Sequence, residues 1–193
     1  MYKRQVLIWF RHDLRLADHP ALAAALATAH SHGARVLPVF VWDPEAAGDH
    51  APGGAARWWL KRSLAALGAD LAARGAPLLL ARGRAETVIP ALAAATGAAE
   101  VHAGRAVEHW ARAQSRSVHE ALEASGRKLH LHTTVLLREP HGVASGSGKP
   151  YAVYTPFAKA LLAAGDPPPC LPAPAAIPGT ALPAGGESLE DLG

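Results

Sequence analysis

"QVLIWFRHDLRLADHPALAAALATAH" occupies residues 5–30 and moves from one backbone period to another across a short charged turn. Residues 5–10 are almost wholly apolar, with β-branched and aromatic side chains, and read as a buried strand. Pro20 then opens a helix through residue 29, since proline in a first helical turn gives up an N–H that has no intrahelical partner. The turn between them holds no glycine. It carries Arg11, His12, Asp13, Arg15, Asp18 and His19. That excludes a glycine-rich phosphate cradle at this point. The loop reads as architecture, with Asp13 accepting from the arginines and Asp18 capping the helix.

Working outward, the same alternation recurs. Residues 34–42 ("ARVLPVFVW") read as a second strand, 77–81 as a third, 99–103 as a fourth and 128–133 as a fifth. Helices are expected at 55–74, 85–96 and 107–125. In the first of these, Leu60, Leu64, Leu67 and Leu71 form one apolar stripe. Strand, helix, strand in repetition specifies a doubly wound, Rossmann-like five-stranded parallel sheet with helices on both faces. After residue 133 comes an irregular loop with "ASGSGKPY", a last helix at 155–164, and then a Pro/Gly/Ala-rich stretch. The expected organisation is an α/β domain over 1–165 and an extended linker or tail over 166–193.

Bulk properties narrow the classes. With 193 residues, half of them hydrophobic, the chain is long enough for one real core. A net charge of +3 is only mildly basic and does not by itself mark a nucleic-acid footprint. Cys170 is the single cysteine, which excludes an internal disulfide framework and a cysteine-rich metal site. With no membrane-spanning run or signal-peptide pattern, a cytoplasmic protein is expected.

Several tempting motifs fail on spacing. "GSGK" (146–149) lacks the upstream glycine register of a phosphate loop, and Pro150 stands where a hydroxyl residue belongs. No G-x-G-x-x-G or G-x-S-x-G is present, so no catalytic constellation is assigned. Gly83, between Arg82 and Arg84, reads as a solvated turn, and Glu108 with Arg112 as a surface pair one helical turn apart. His130 and His132 share a strand face, but no acidic or cysteine partner stands nearby in sequence, so they read as structural and no metal is expected. Of the adjacent Trp58 and Trp59, one is expected to join the core.

Two distant stretches carry a resemblance. "WFRHDLRLADHPAL" (9–22) resembles the W-[FH]-R-[RK]-D-L-R-x-x-D-N-P-A-L opening of the DNA photolyase and cryptochrome family, departing at His12 and His19. "SGSGKPYAVYTPF" (145–157) is similar to the family's S-G-x-G-x-P-Y-x-V-[YF]-T-P-F segment, and "RAVEHWARAQSRSV" (105–118) to its D-Y-E-P-Y-A-R-x-R-D region.

The resemblance implies an N-terminal α/β domain that holds an antenna chromophore: a folate, an 8-hydroxy-deazaflavin or FMN. It implies a larger helical domain, absent from these residues, that holds FAD and meets damaged DNA, so this chain alone would not repair DNA. The family's antenna contacts map onto Phe40, Trp42, Asp43, Arg57, Arg105 and Glu108. Gly104, Ala106 and His109 stand where the family commonly has Asn, Asp or Tyr, and Pro. Those departures leave open a stand-alone nucleotide- or flavin-binding module, or a purely structural docking module, of the same fold. The implied partners are the helical domain and, through an exposed docking face, a second copy of the chain.

Overall fold

The computed structural model describes residues 5–139 and 142–190. Its elements run β1 (Gln5–Phe10), α1 (Pro20–His32), β2 (Arg35–Trp42), a 3-10 turn (Gly48–His50), α2 (Gly54–Ala73), β3 (Leu79–Arg82), α3 (Ala85–Thr96), β4 (Glu100–Gly104), α4 (His109–Glu123), β5 (Lys128–His132) and α5 (Tyr154–Ala163). The strands form one parallel sheet, as the alternation required, and its order is β3-β2-β1-β4-β5. Successive β1 side chains alternate faces. Val6, Ile8 and Phe10 pack with Leu22, Ala25, Leu67 and Leu71 of α1 and α2. Leu7 and Trp9 pack with Ile89, Ala93, Val118 and Leu122 of α3 and α4. After their polar first residues, β1 and β2 are therefore apolar along their length, because both faces are covered.

The charged turn is structural, though by different contacts from those expected. His19, not Asp18, is the N-cap of α1: its Nδ1 accepts from the Leu22 N–H at 3.1 Å. That leaves the imidazole proton on Nε2, 3.3 Å from Asp13 Oδ2. Asp18 adopts a left-handed conformation (φ 49°) and turns toward residue 171, whose carbonyl accepts its N–H at 2.7 Å. Asp13 accepts from the Arg11 backbone N–H at 3.1 Å, not from a guanidinium. Arg15 donates to the carbonyls of Asp18 and Thr134, tying the turn to the segment after β5.

Residues 166–190 form no helix and are mostly exposed, yet single residues anchor them to the domain. Ile177 is buried in the α1/α2 core. The Pro178 carbonyl accepts from Val36, Gly179 bridges to Val36, and Glu187 donates to Leu80 at 2.8 Å. Gly179 is required there, because a Cβ would overlap the Gly75 carbonyl and Ala76. A proline-rich segment cannot supply a regular ladder, but it can lay single residues into grooves between elements that already exist.

Two further expectations are corrected. Trp58 and Trp59 are both exposed, at 58% and 68%, because α2 turns Leu64, Leu67 and Leu71 inward and its first turns outward. Trp58 carries the Arg62 guanidinium 5.0 Å from its ring centroid. The strand histidines do have an acidic neighbour: parallel register sets β4 beside β5, so Glu100 and His102 lie next to His130 and His132. Burial first, then the neighbouring His130 and His132, holds the His102 imidazole down to about 3. Among the described residues no helix is long and apolar enough to cross a membrane.

Candidate functional site

In open α/β sheets, ligands sit outside the carboxyl ends of strands where the strand order reverses. Here that point lies between β1 and β4. A cleft of about 770 Å³ opens beside it, lined from the ends of β1 and β2, the loop before α2, and the first turns of α4. Its walls are Trp9, Phe10, Phe40, Trp42, Leu60 and Trp110, with His12, His50, Glu108 and His109 at solvent-exposed positions around them. The ring of His12 meets Trp110 edge-to-face at 6.0 Å between centroids.

Beneath the cleft a chain of polar contacts holds these walls in place. The Arg11 guanidinium lies 4.5 Å from the Trp9 ring centroid and donates to Ser115 Oγ at 2.8 Å, the Ala111 carbonyl at 3.1 Å and Gln114 Oε1 at 2.8 Å. Burial lowers the Arg11 guanidinium to about 10, against the charges of Asp13 and Glu108, so it stays cationic at neutral pH. Gln114 in turn donates to Asp43 Oδ2 at 3.0 Å. Asp43 also accepts from Ala85, at the start of α3, and from Ala46.

Of the residues singled out from sequence, Phe40, Trp42, Asp43 and Glu108 line this cleft. Asp43 does so with its carboxylate already committed to three donors. Arg57 lies in the first turn of α2, exposed and outside the lining. Arg105 lies outside it too, lining two neighbouring hollows of about 150 Å³ and 750 Å³, with Nε 3.3 Å from Glu139. Glu108 does not pair with Arg112; its carbonyl accepts the Arg112 N–H and it stands as the N-cap of α4. Arg84 pairs with Glu86. Sequence reasoning missed Trp9, Arg11, His12, Trp110 and Gln114 as lining residues. A legible signal existed for Trp110, an aromatic side chain in a first helical turn just beyond a strand's carboxyl end.

Gly104 ends β4 directly over Asp13. A Cβ there would overlap Asp13 Oδ2 and Thr134 Oγ1. Burial raises the Asp13 carboxyl, but the nearby His19 ring, the Thr134 hydroxyl and the Arg11 N–H outweigh it and hold the group well below the usual carboxylate range. The missing side chain at residue 104 thus makes room for a buried carboxylate.

The family model for DNA photolyase matches residues 6–176. This chain belongs to the DNA photolyase family. It is 39% identical over 179 residues to the deoxyribodipyrimidine photo-lyase of Agrobacterium fabrum, covering 90% of this chain and 36% of that protein. It is 35% identical to cryptochrome-2 of Arabidopsis thaliana over 82% of this chain and 25% of that protein. The crystal structure of a bacterial class III photolyase from Agrobacterium tumefaciens superposes with a TM-score of 0.87 at 34% identity, covering 99% of this chain and 38% of that one. The chain therefore spans little more than a third of these photolyases, and it corresponds to the family's N-terminal Rossmann-like α/β domain.

Proposed function

We propose that this photolyase domain binds a flat, conjugated antenna chromophore in the aromatic cleft and passes its excitation energy to a flavin held by a separate helical domain. The single observation that carries the reading is the cleft itself. It lies at the switch point of the sheet, has the volume of a cofactor site, and combines aromatic walls with a few polar groups. Phe40, Trp42 and Trp110 offer ring faces for stacking, worth about 0.5–1.5 kcal/mol per aromatic pair beyond area burial. His12, His50, Glu108 and His109 offer donors and acceptors for ring-edge heteroatoms. Folate, 8-hydroxy-deazaflavin and FMN are the candidate ligands. Arg57 and Arg105, outside the lining, are left for an extended tail of the chromophore that leaves the cleft.

Light-driven repair of pyrimidine dimers belongs, in this proposal, to the whole protein. Repair needs an excited flavin within electron-transfer reach of a flipped dimer, and the two hollows beside Arg105 have no Phe, Tyr or Trp in their walls. The exposed Trp58 and Trp59 supply an apolar face suited to a covering domain or, failing that, to a second copy. Damaged DNA would reach this domain only through the helical partner.

The test is an absorption spectrum of the purified chain before and after incubation with each of the three chromophores, followed by gel filtration. A chromophore band that co-elutes with the protein supports the reading and names the ligand class. A flat spectrum in all three cases rejects it and leaves a docking module.

A further inference from the structure

On the α1 face of the sheet, well away from the cleft, β4 and the edge strand β5 bring a carboxylate and three imidazoles together. His102 stacks on His130 at 4.8 Å between centroids and on His132 at 5.3 Å, with interplanar angles of 24° and 17°. Glu100 Oε2 lies 3.1 Å from His130 Nε2 and 3.7 Å from His102 Nε2. All three ligand atoms fall within 4.8 Å of one another.

We propose that Glu100, His102 and His130 form a site for a divalent transition metal ion of the zinc class. Four considerations carry this, and none depends on the antenna reading. A tetrahedral ion with bonds of ~2.0–2.1 Å places its ligand atoms about 3.3 Å apart, close to the two separations to Glu100. The third, between the two rings, closes by small side-chain rotations, because His130 sits on an edge strand and is partly exposed. His130 Nε2 is shut off from solvent yet makes no hydrogen bond of proper geometry, a cost that a bound cation removes. His132 supplies what ligating histidines normally have, a partner for the second ring nitrogen: its Nε2 lies 3.1 Å from His102 Nδ1. With the proton on Nδ1, His102 presents a lone pair at Nε2 toward Glu100 and His130. Among the described residues, Thr28 Oγ1, at 3.4 Å from that atom, is its one hydrogen-bond neighbour and a loose one.

Two imidazole nitrogens and one carboxylate suit zinc and its neighbours over calcium or magnesium, which prefer all-oxygen shells. The Glu100 and His130 side chains are partly exposed, at 24% and 38%, so rotation of the His130 ring opens its enclosed Nε2 to an ion from solvent, and a water can complete the shell. The consequence would be mechanical. The ion would staple edge strand β5 to β4, and its binding would add directly to stability.

Tag-free chain is titrated with Zn²⁺ by calorimetry and with Co²⁺ by visible absorption, alongside thermal melts. One ion per chain, the visible bands of tetrahedral Co²⁺, and a raised melting midpoint are expected. Glu100→Gln and His130→Gln, both at partly exposed positions that keep the fold, should each weaken binding at least ~tenfold, and His132→Gln by about tenfold. His119→Gln, at an exposed histidine beside Glu123, should leave it unchanged. No saturable binding by the parent chain, or unchanged affinity in either Glu100→Gln or His130→Gln, overturns the proposal.

Discussion

Gln114 Nε2 donates to Asp43 Oδ2 at 3.0 Å, joining the end of β2 to α4 across 71 positions of sequence. The other end of the same amide accepts from Arg11, so three elements around the cleft share one polar chain. Asp43→Ala removes the acceptor for Gln114, Ala85 and Ala46 together. A loss of about 1–3 kcal/mol is expected, the cost of leaving part-buried donors unpaired. Urea unfolding measures it, and an unchanged midpoint would show that water replaces the carboxylate at no cost.

Gly104→Ala should be more damaging than a methyl group normally is. The new Cβ overlaps the Asp13 carboxylate and the Thr134 hydroxyl, so the strand end or the buried carboxylate must move. Overpacking of this kind costs roughly 1–3 kcal/mol. A thermal melt within error of the parent would mean that Asp13 has room to turn aside.

Acid stability should follow Asp13. Its carboxyl is held below the ordinary value in the folded chain, so at low pH the unfolded chain binds more protons than the folded one. The stabilisation is complete above about pH 4, the unfolded carboxylate range, and drains away as pH falls from there toward the lower folded value. Urea midpoints at a series of pH values should fall steeply below pH 4 in the parent and less steeply in Asp13→Asn. Parallel curves would rule out Asp13 as the source.

Ile177→Ala tests whether the proline-rich strap belongs to the core. Ile177 is 4% exposed against α1 and α2, so truncation should cost about 2–5 kcal/mol. An effect below ~0.5 kcal/mol, the size of an ordinary surface substitution, would mean that the strap detaches in solution.

For the proposed chromophore site, Trp110→Leu should weaken binding about tenfold, the loss of ~1.4 kcal/mol of stacking. Arg57→Ala should leave the affinity of a chromophore confined to the cleft unchanged. Fluorescence titration with whichever chromophore binds distinguishes the two variants. The reverse ranking would move the site from the cleft to the start of α2.

Local sequence carried the sheet and its helices. Residues 6–10 are apolar at consecutive positions because β1 is buried on both faces, and the leucine spacing in α2 repeats because one side of that helix meets the core. Those signals have periods of a few residues and survive in a linear reading. Phe40, Trp42 and Glu108 were legible as lining residues through the family motif and through their places at strand and helix ends. Contacts between elements were not legible. Nothing in the linear order of Asp43 and Gln114, or of Gly104 and Asp13, says that they meet. Neither does the spacing of Glu100 from His130, which parallel register alone makes neighbours. Whether Trp58 turns in or out, and whether a proline-rich strap floats or packs, depends on grooves built by other parts of the chain. Periodicity decides which residues face a core; only the completed sheet decides which of them face each other.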